Sequence, residues 1–180
     1  GGDYLAVGRA GAIASRSGGG AWVLESTGHT NDLWVGTLSG STRLVGGTSE
    51  LLLSEKGAPW VDQLGRATAP APPGTYYASL PLTNYFLLAG RGGLLTEGRR
   101  GSETLPFAWA EIAPSIRPFL SEVAFQNGLF ATIGQNGAIL TSGDGVDWSL
   151  ELVPRSVTNT TLLGIGGDSN LLVAVGTRGA

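Results

Sequence analysis

Few residues of this sequence could carry chemistry. The chain has no cysteine, which excludes disulfides, thiolate metal ligands and a cysteine nucleophile. Its single histidine, His29, lies in the polar segment Gly28-His29-Thr30, where we expect a solvated side chain. Only Glu122 among the glutamates stands in an apolar stretch typical of an innermost strand, with Tyr77 on an earlier strand as a companion. Two residues do not make a catalytic set, so we predict no enzyme activity, no metal and no cofactor.

Composition limits the class of protein. The chain has 180 residues, of which 30 are glycine, 42% are apolar and 14% are charged. It is too apolar to be disordered and too rich in glycine for a helical bundle. The net charge of −3 disfavours nucleic acid as a partner. No apolar run approaches the ~18 residues of a transmembrane helix, so we predict no transmembrane segment.

The elements that must position these residues come from an internal repeat. An apolar stretch ending in glycine occurs five times, and the glycines lie 38, 44, 44 and 42 residues apart. They are Gly8, Gly46, Gly90, Gly134 and Gly176. A second turn residue follows three positions later, and the four complete copies then continue into another apolar stretch. The pattern predicts a strand, a tight turn and a second strand.

Tryptophan spacing marks a third strand. Trp22, Trp60 and Trp148 each follow their glycine by 14 residues, whereas Trp109 follows Gly90 by 19 because of an insertion. A fourth apolar stretch comes before the next copy. Four short strands in about 42 residues are typical of a β-propeller blade. A β-sandwich also has evenly spaced strands, but it gives no reason for a repeated glycine-to-tryptophan distance.

We therefore predict an all-β fold, with one β-propeller region over 1–180 that contains four four-stranded repeats and one extra strand. The repeats span approximately 3–40, 41–83, 84–126 and 127–169, with a partial copy at 170–180. The first and last strands are equivalent and would claim one place in a closed four-bladed ring. We expect an open arc of a larger propeller, of roughly six to eight blades. Its unpaired strand edges should make this piece aggregate or oligomerise.

A glycine-containing turn precedes three of the tryptophans. Its members are Ser17, Gly19 and Trp22 in the first copy, Glu55, Gly57 and Trp60 in the second, and Asp144, Gly145 and Trp148 in the fourth. A carboxylate or hydroxyl can accept hydrogen bonds from turn N–H groups, glycine can take a positive φ, and tryptophan can cover the turn. We expect largely buried tryptophans at equivalent positions. A Ca²⁺ site at Asp144 and Asp147 is disfavoured because the segment supplies too few oxygens.

These turns resemble the Asp-box, or BNR repeat, Ser-x-Asp-x-Gly-x-Thr-Trp, in a degenerate form that the third copy lacks. The segment from Phe130 to Ser142 (FATIGQNGAILTS) is similar to bacterial secreted BNR propellers and to photosystem II assembly and stability factor propellers. The resemblance implies structural turns and a non-enzymatic scaffold for protein interaction or assembly. It also implies an extracytoplasmic location, which could be periplasmic, cell-surface or secreted.

A carbohydrate-active protein is the alternative, because Asp-box propellers include sialidases and other glycosidases. The chain would then be a lectin or a fragment of such an enzyme. A sialidase-like site would need arginines for a carboxylate, a tyrosine–glutamate pair and an acidic proton donor. Glycosidases in general need two facing carboxylates.

One recurring turn could bind a partner. The turn between the first two strands carries Arg9, Arg91 and Arg178, with Gln135 in the fourth copy. The repeat should place these turns on one face, where three arginines could bind carboxylates or phosphates. The alternative is that they are solvated turn residues.

Overall fold

Over the residues that the computed structural model describes, the chain is all-β, with 17 strands in five antiparallel sheets, which confirms the predicted class. The described residues are 2–55, 57–65, 71–101, 107–112, 118–168 and 170–180. These ranges contain no α-helix, only single-turn 3₁₀ helices at Arg9–Gly11, Arg91–Gly93 and Thr177–Gly179. Within them, no helix has the length and apolarity to cross a membrane.

The strands fall into five groups along the chain. The first sheet contains β1 (Tyr4–Val7), β2 (Ile13–Arg16) and β3 (Val23–Glu25); the second contains β4 (Leu33–Ser39), β5 (Thr42–Gly47), β6 (Glu50–Glu55) and β7 (Val61–Asp62); the third contains β8 (Tyr76–Pro81), β9 (Tyr85–Gly90), β10 (Leu95–Arg100) and β11 (Phe107–Ile112); the fourth contains β12 (Leu120–Gln126), β13 (Leu129–Gly134), β14 (Ile139–Ser142) and β15 (Ser149–Leu150); the fifth contains β16 (Leu162–Gly167) and β17 (Leu172–Gly176).

The hydrogen-bonded sheets are shifted by one strand relative to the sequence repeats. The fourth apolar stretch of each copy pairs with the first strand of the next copy, as β4 pairs with β5 and β8 with β9. The strands β4, β8, β12 and β16 each lie at one edge of their sheet and contact one another in succession. We call these four the inner strands. Their side-by-side arrangement is compatible with propeller blades around a common centre.

A glycine at the end of the second strand lets two backbones meet. A Cβ added at Gly47, Gly90, Gly134 or Gly176 would lie 1.8–2.3 Å from the carbonyl oxygen just before an inner strand. The spacing pattern assigns this role to Gly46 in the second copy, which is wrong by one residue. That copy has a shorter turn, so Gly47 takes the position. No larger residue could occupy these four sites without moving the backbone.

Apolar clusters fill the spaces between neighbouring sheets. Leu44 and Phe86 belong to the cluster between the second and third sheets, and Leu87 and Leu120 to that between the third and fourth. A smaller cluster around Ile13 joins the first sheet to the second. The second and third sheets are therefore covered on both faces, and every residue from Phe86 to Gly90 is buried.

The first and fifth sheets each have one face that no described residue covers. On β17, Val173 and Val175 are 48% and 52% exposed, while the residues between and beside them are half-buried. On β1, Tyr4 and Ala6 are exposed in the same alternating way. These alternating side chains point to the outer face of each end sheet.

The tryptophans only partly follow the prediction of burial. Trp22, Trp60 and Trp148 each stand directly before the outer strand of a sheet. Trp60 and Trp148 are half-buried, but Trp22 is 50% exposed, so its predicted burial is wrong. Trp22 lies on the first sheet, where part of the cover is missing. Trp109 lies within β11 and is 7% exposed.

Candidate functional site

Each inner strand begins with a β-bulge. The strand pairing skips one residue at Trp34, Tyr77, Ser121 and Leu163. A bulge turns the side chain of the extra residue away from the regular alternation. Tyr77, Ser121 and Leu163 line a cleft of about 300 Å³ between the inner strands. The repeat thus brings one variable side chain from several sheets to the same place.

The lining of this cleft is largely polar. Thr37 and Ser79 contribute hydroxyl groups that make no hydrogen bond with any described residue. The Ser121 hydroxyl is already used, because it donates to the carbonyl oxygen of Leu162 at 2.5 Å. Glu122 is the one charged side chain among the described lining residues.

Glu122 links two sheets. Its Oε2 accepts the backbone N–H of Ile165 at 2.7 Å, which satisfies a donor on the neighbouring inner strand β16. The structure therefore brings Tyr77 and Glu122 to one cleft, but it gives the carboxylate a structural partner. No second carboxylate from the described residues lines the cleft. Glycoside hydrolysis of the usual kind needs two.

Three aromatic rings form a row beside the cleft. The ring centroids of Trp34 and Tyr77 are 6.3 Å apart, and those of Tyr77 and Phe119 are 4.8 Å apart. The indole N–H of Trp34 donates to Thr48 Oγ1 at 3.0 Å, yet Trp34 remains 45% exposed. We call Trp34, Tyr77 and Phe119 the aromatic row. Sequence analysis identified only Tyr77 of these three. Trp34 is the second residue of β4, as Tyr77 is the second residue of β8.

The predicted arginine turns lie at the end of the sheets where the inner strands begin. The backbone N–H of Arg91 donates to Thr75 just before β8, at 3.0 Å. The N–H of Gln135 makes the same bond to Phe119, just before β12, at 2.9 Å. The aromatic row and these turns therefore share one end of the molecule.

The turns of Arg9 and Arg178 are built in the same way. The turn of Arg9 contacts β4, and the N–H of Thr177 next to Arg178 donates to Thr161 at 2.9 Å. All three arginine side chains are exposed, and none forms an ion pair with a described residue. They present positive charge to solvent around the start of the inner strands.

In the turn before Trp148, side chains of the turn accept hydrogen bonds from its backbone N–H groups. Asp144 Oδ1 accepts from the N–H groups of Val146 and Asp147 at 2.8 and 2.9 Å. Ser142 Oγ accepts from Gly145, whose φ is +80°. The N–H of Asp147, followed by that of Val146, lowers the pKa of the Asp144 carboxyl because these bonds favour its charged form.

The turn before Trp22 lacks this network. The Ser17 hydroxyl donates to Asp3 Oδ1 at 2.6 Å, outside the turn. Positive φ occurs at Gly18, not at Gly19 as the pattern suggests, whereas Gly57 in the second turn has a φ of +76°. Of the three turns, the first therefore departs furthest from the Asp-box pattern.

In the second turn, the N–H of Ala58 donates to the backbone carbonyl oxygen of Glu55 at 2.8 Å, but the Glu55 carboxylate does not accept from the described turn backbone. Its Oε1 instead accepts from Arg100 of the third sheet at 2.9 Å. The turn is held by Ser54, which donates to the carbonyl oxygen of Ala58 at 2.6 Å. Glu55 thus joins two sheets, a role that the sequence pattern could not indicate.

Glu25 is a polar contact between the first and second sheets that sequence analysis missed. Its carboxylate accepts from Arg43 Nη1 at 2.6 Å and from the indole N–H of Trp60 at 2.8 Å. Burial by itself raises the pKa of Glu25, but hydrogen bonds from Ser15, Trp60 and Arg43 outweigh it, so the pKa is lowered. Glu25 is thus held in its charged form by both sheets.

His29 is not the isolated solvated residue that its polar loop suggests. Its Nδ1 contacts a carboxylate oxygen of Glu50, whose side chain is buried. The contact connects the loop after the first sheet to the start of β6. The loop composition gives no signal for this pairing, because Glu50 is distant in sequence.

No protein-family model and no curated protein matches this sequence. In the described ranges, no group of three or more histidine, aspartate or glutamate side chains is arranged to hold a metal ion.

Proposed function

We propose that the chain is an open arc of a BNR-type β-propeller that acts, without catalysis, as a protein-interaction or assembly scaffold outside the cytoplasm. Four features support the arc: inner strands in lateral contact, a bulge at the same position in each, a repeated glycine, and apolar clusters between successive members of the first four sheets. Each sheet then corresponds to one blade.

The uncovered apolar surface at the end sheets is the observation that carries the scaffold proposal. Val173 and Val175 stand in an apolar run like those of β9 and β13, in which every residue of 86–90 and of 130–134 is buried. Burying apolar area is worth roughly 25 cal/mol per Å². Another protein surface, from further blades or from a partner, would gain this energy by covering the end faces.

The chemistry of the cleft supports a role without catalysis. Glu122 is tied to Ile165, and the described lining offers no histidine and no second carboxylate beside it. The second candidate function, carbohydrate binding, is favoured by the presence of Tyr77 and Glu122 in one cleft. The same geometry supports binding of a sugar rather than its hydrolysis.

The exposed arginine turns are the surface on which we place an acidic partner. Charge reversal at both Arg9 and Arg91 should slow association and weaken its dependence on salt, because long-range attraction would be lost. Stopped-flow association rates at several salt concentrations measure this. Unchanged rates would mean that these arginines are merely solvated.

Sedimentation velocity tests the scaffold proposal. The wild-type chain should oligomerise, and the double variant Val173→Glu/Val175→Glu should sediment more slowly because charge on the fifth sheet opposes its cover. Leu152→Glu is the matched control, since Leu152 is 99% exposed and lies outside the strands. It should sediment as wild type does. A monodisperse wild-type monomer with a cooperative melting transition would overturn the proposal.

A further inference from the structure

We propose that the outer face of the first sheet binds a partner protein through a carboxylate, which Arg16 and the indole N–H of Trp22 would hold. The inference rests on the proposed scaffold role, because it concerns one of the two uncovered faces. It adds the chemical group that the covering surface must present and the residues that recognise it.

The contact between the first and second sheets shows how such a carboxylate is bound. Glu25 of the first sheet accepts from Arg43 Nη1 at 2.6 Å and from Trp60 Nε1 at 2.8 Å, both on the second-sheet side of the contact. The Arg43 guanidinium also lies 4.7 Å from the centroid of the Trp60 ring. An arginine and a tryptophan of one sheet thus bind one carboxylate of the sheet before it.

The contact between the second and third sheets uses the same chemistry. Glu55 Oε1 accepts from Arg100 Nη1 at 2.9 Å, and the Arg100 guanidinium lies 5.0 Å from the ring centroid of Phe107 on its own sheet. The earlier sheet again supplies the carboxylate, and the later sheet supplies an arginine that lies over an aromatic ring. A guanidinium stacked in this way can still offer the N–H groups of its edge to a carboxylate.

The first sheet carries the arginine side of this arrangement. The Arg16 guanidinium lies 4.6 Å from the ring centroid of Tyr4 and 5.6 Å from that of Trp22. Arg16 stands opposite Tyr4 in the strand register, so both side chains lie on the uncovered outer face. Trp22 and Trp60 occupy the same place, directly before the outer strand of their sheets. Arg16 and Trp22 therefore correspond to the pair that binds Glu25.

No described residue supplies a carboxylate to this pair. Arg16 forms no ion pair within the described ranges, and its Nε is buried without a hydrogen-bond partner there. Its Nη groups are not enclosed, so a carboxylate from outside can reach them. The indole N–H of Trp22 also has no partner among the described residues, unlike those of the other four tryptophans. Both donors are thus free to bind an acceptor on a partner.

Apolar side chains around the arginine set the rest of the partner's chemistry. In the strand register Ala6 stands opposite Ala14, and Ala14 stands opposite Leu24, which is 83% exposed. Tyr4 and Trp22 are 47% and 50% exposed. Covering these side chains is favourable only for a surface that is apolar around its carboxylate.

A second copy of the chain would cover the apolar part of this face but would leave Arg16 without a carboxylate. The uncovered face of the fifth sheet is apolar, and its strands β16 and β17 contain no aspartate or glutamate. The acid next to β16 in sequence, Asp168, already accepts from the N–H groups of Asn170 and Leu171. The face therefore suits a different protein surface better than it suits another copy.

The test measures the binding of small capped peptides to the full chain by NMR, through the side-chain Nε–Hε signals of labelled arginine and the indole N–H signals. The probe is a peptide with glutamate between two valines, and the matched peptides carry glutamine or lysine at the centre. The glutamate peptide should bind more tightly than the glutamine peptide by about threefold, because a partly exposed ion pair contributes on this scale. The signals of Arg16 and Trp22 should shift most.

Three variants assign the preference to the proposed residues. Arg16→Gln should abolish it and should melt near the wild-type temperature, because Arg16 makes no hydrogen bond or ion pair with a described residue. Arg9→Gln is the matched control, since Arg9 is an exposed arginine without a described ion pair at the other end of β1. Trp22→Phe keeps an aromatic ring but removes the indole N–H, so it should lower the preference only in part.

The inference is overturned by equal binding of the glutamate and glutamine peptides, by tightest binding of the lysine peptide, or by a preference that Arg16→Gln leaves intact. Loss of self-association in Arg16→Gln, followed by sedimentation velocity, would make a second copy the occupant and would overturn it as well. A monodisperse wild-type monomer contradicts the scaffold proposal without changing the peptide preference, so the two failures are distinguishable.

Discussion

The strands β9 and β17 have the same kind of sequence and different surroundings. Both are apolar runs that end in glycine, Phe86-Leu87-Leu88-Ala89-Gly90 and Leu172-Val173-Ala174-Val175-Gly176. In β9 every one of these residues is buried, whereas in β17 every second one is exposed. A continuous apolar run suits a strand that is covered on both faces. The fifth sheet thus carries a sequence suited to a second neighbour that the described residues do not supply.

The first sheet, like the fifth, has an exposed apolar face, but it is joined to its neighbour by different contacts from those that join the middle sheets. The middle sheets meet through large apolar clusters, while a small cluster around Ile13 and the Glu25 contacts join the first sheet to the second. A contact between charged groups responds to pH and is screened by salt, whereas an apolar cluster contains no charge that could titrate or be screened. The middle and the ends of the molecule should therefore respond differently to the same kind of change.

The largest contrast is expected from removing apolar volume. Leu88→Ala opens a cavity in the cluster between the second and third sheets and should lower the free energy of unfolding by about 2–5 kcal/mol. Val175→Ala, on the exposed face of β17, should change it by about 0.5 kcal/mol or less. Urea denaturation measures both. Equal losses would show that β17 is as well covered as β9.

Adding a methyl group to the repeated glycine gives the next contrast. In Gly90→Ala the Cβ would meet the Thr75 carbonyl oxygen at 2.0 Å, which should cost about 1–3 kcal/mol. In Gly8→Ala the nearest atom is Ala12 Cβ at 3.9 Å, so little loss is expected. Thermal melting compares the two variants. A large loss in Gly8→Ala would mean that a backbone also lies against the first sheet there.

A smaller effect should separate the fourth turn from the first. Ser142→Ala leaves the N–H of Gly145 without its acceptor and should cost about 1 kcal/mol. Ser17→Ala removes only the exposed bond to Asp3 and should have almost no effect. Chemical denaturation of the two variants checks this. If both lose the same stability, the first turn has a backbone role that its geometry does not indicate.

The smallest expected effect is the pH response of the first sheet. The pKa of Glu25 is lower in the folded chain than its ordinary value of 4.5, so the unfolded chain takes up the proton first. The stabilisation is complete above about 4.5 and is lost as the pH falls through the lower folded-state pKa. The midpoint of urea unfolding, followed by tryptophan fluorescence, should fall with acid less steeply in Glu25→Gln. Identical slopes would contradict the role of Glu25.

The repeat made most of the strands predictable, because glycine, tryptophan and apolar runs recur at fixed distances. Strand pairing was harder to predict. The fourth strand of each copy is hydrogen-bonded to the first strand of the next copy and not to strands of its own copy. The turn at Gly47 was missed by one residue because one shorter loop shifts the pattern. The exposure of Trp22 could not be predicted, because it depends on which sheet has a neighbour.

The candidate site was harder to find than the fold. Tyr77 and Glu122 were visible as unusual residues of inner strands, but their meeting depends on the lateral contact of β8 and β12. Trp34 and Phe119 looked like ordinary apolar residues. The bulges, which periodicity cannot show, place Trp34 and Tyr77, and Phe119 joins them from the position just before β12.

Hydrogen exchange read by mass spectrometry, on dilute and concentrated protein, tests the central claim most directly. If the exposed faces of the first and fifth sheets become buried only on association, amides of β9 and β13 should be strongly protected at both concentrations. Those of β1 and β17 should exchange fast in dilute solution and slow down selectively when the chain associates. Uniform protection of all five sheets that does not change with concentration would contradict the account.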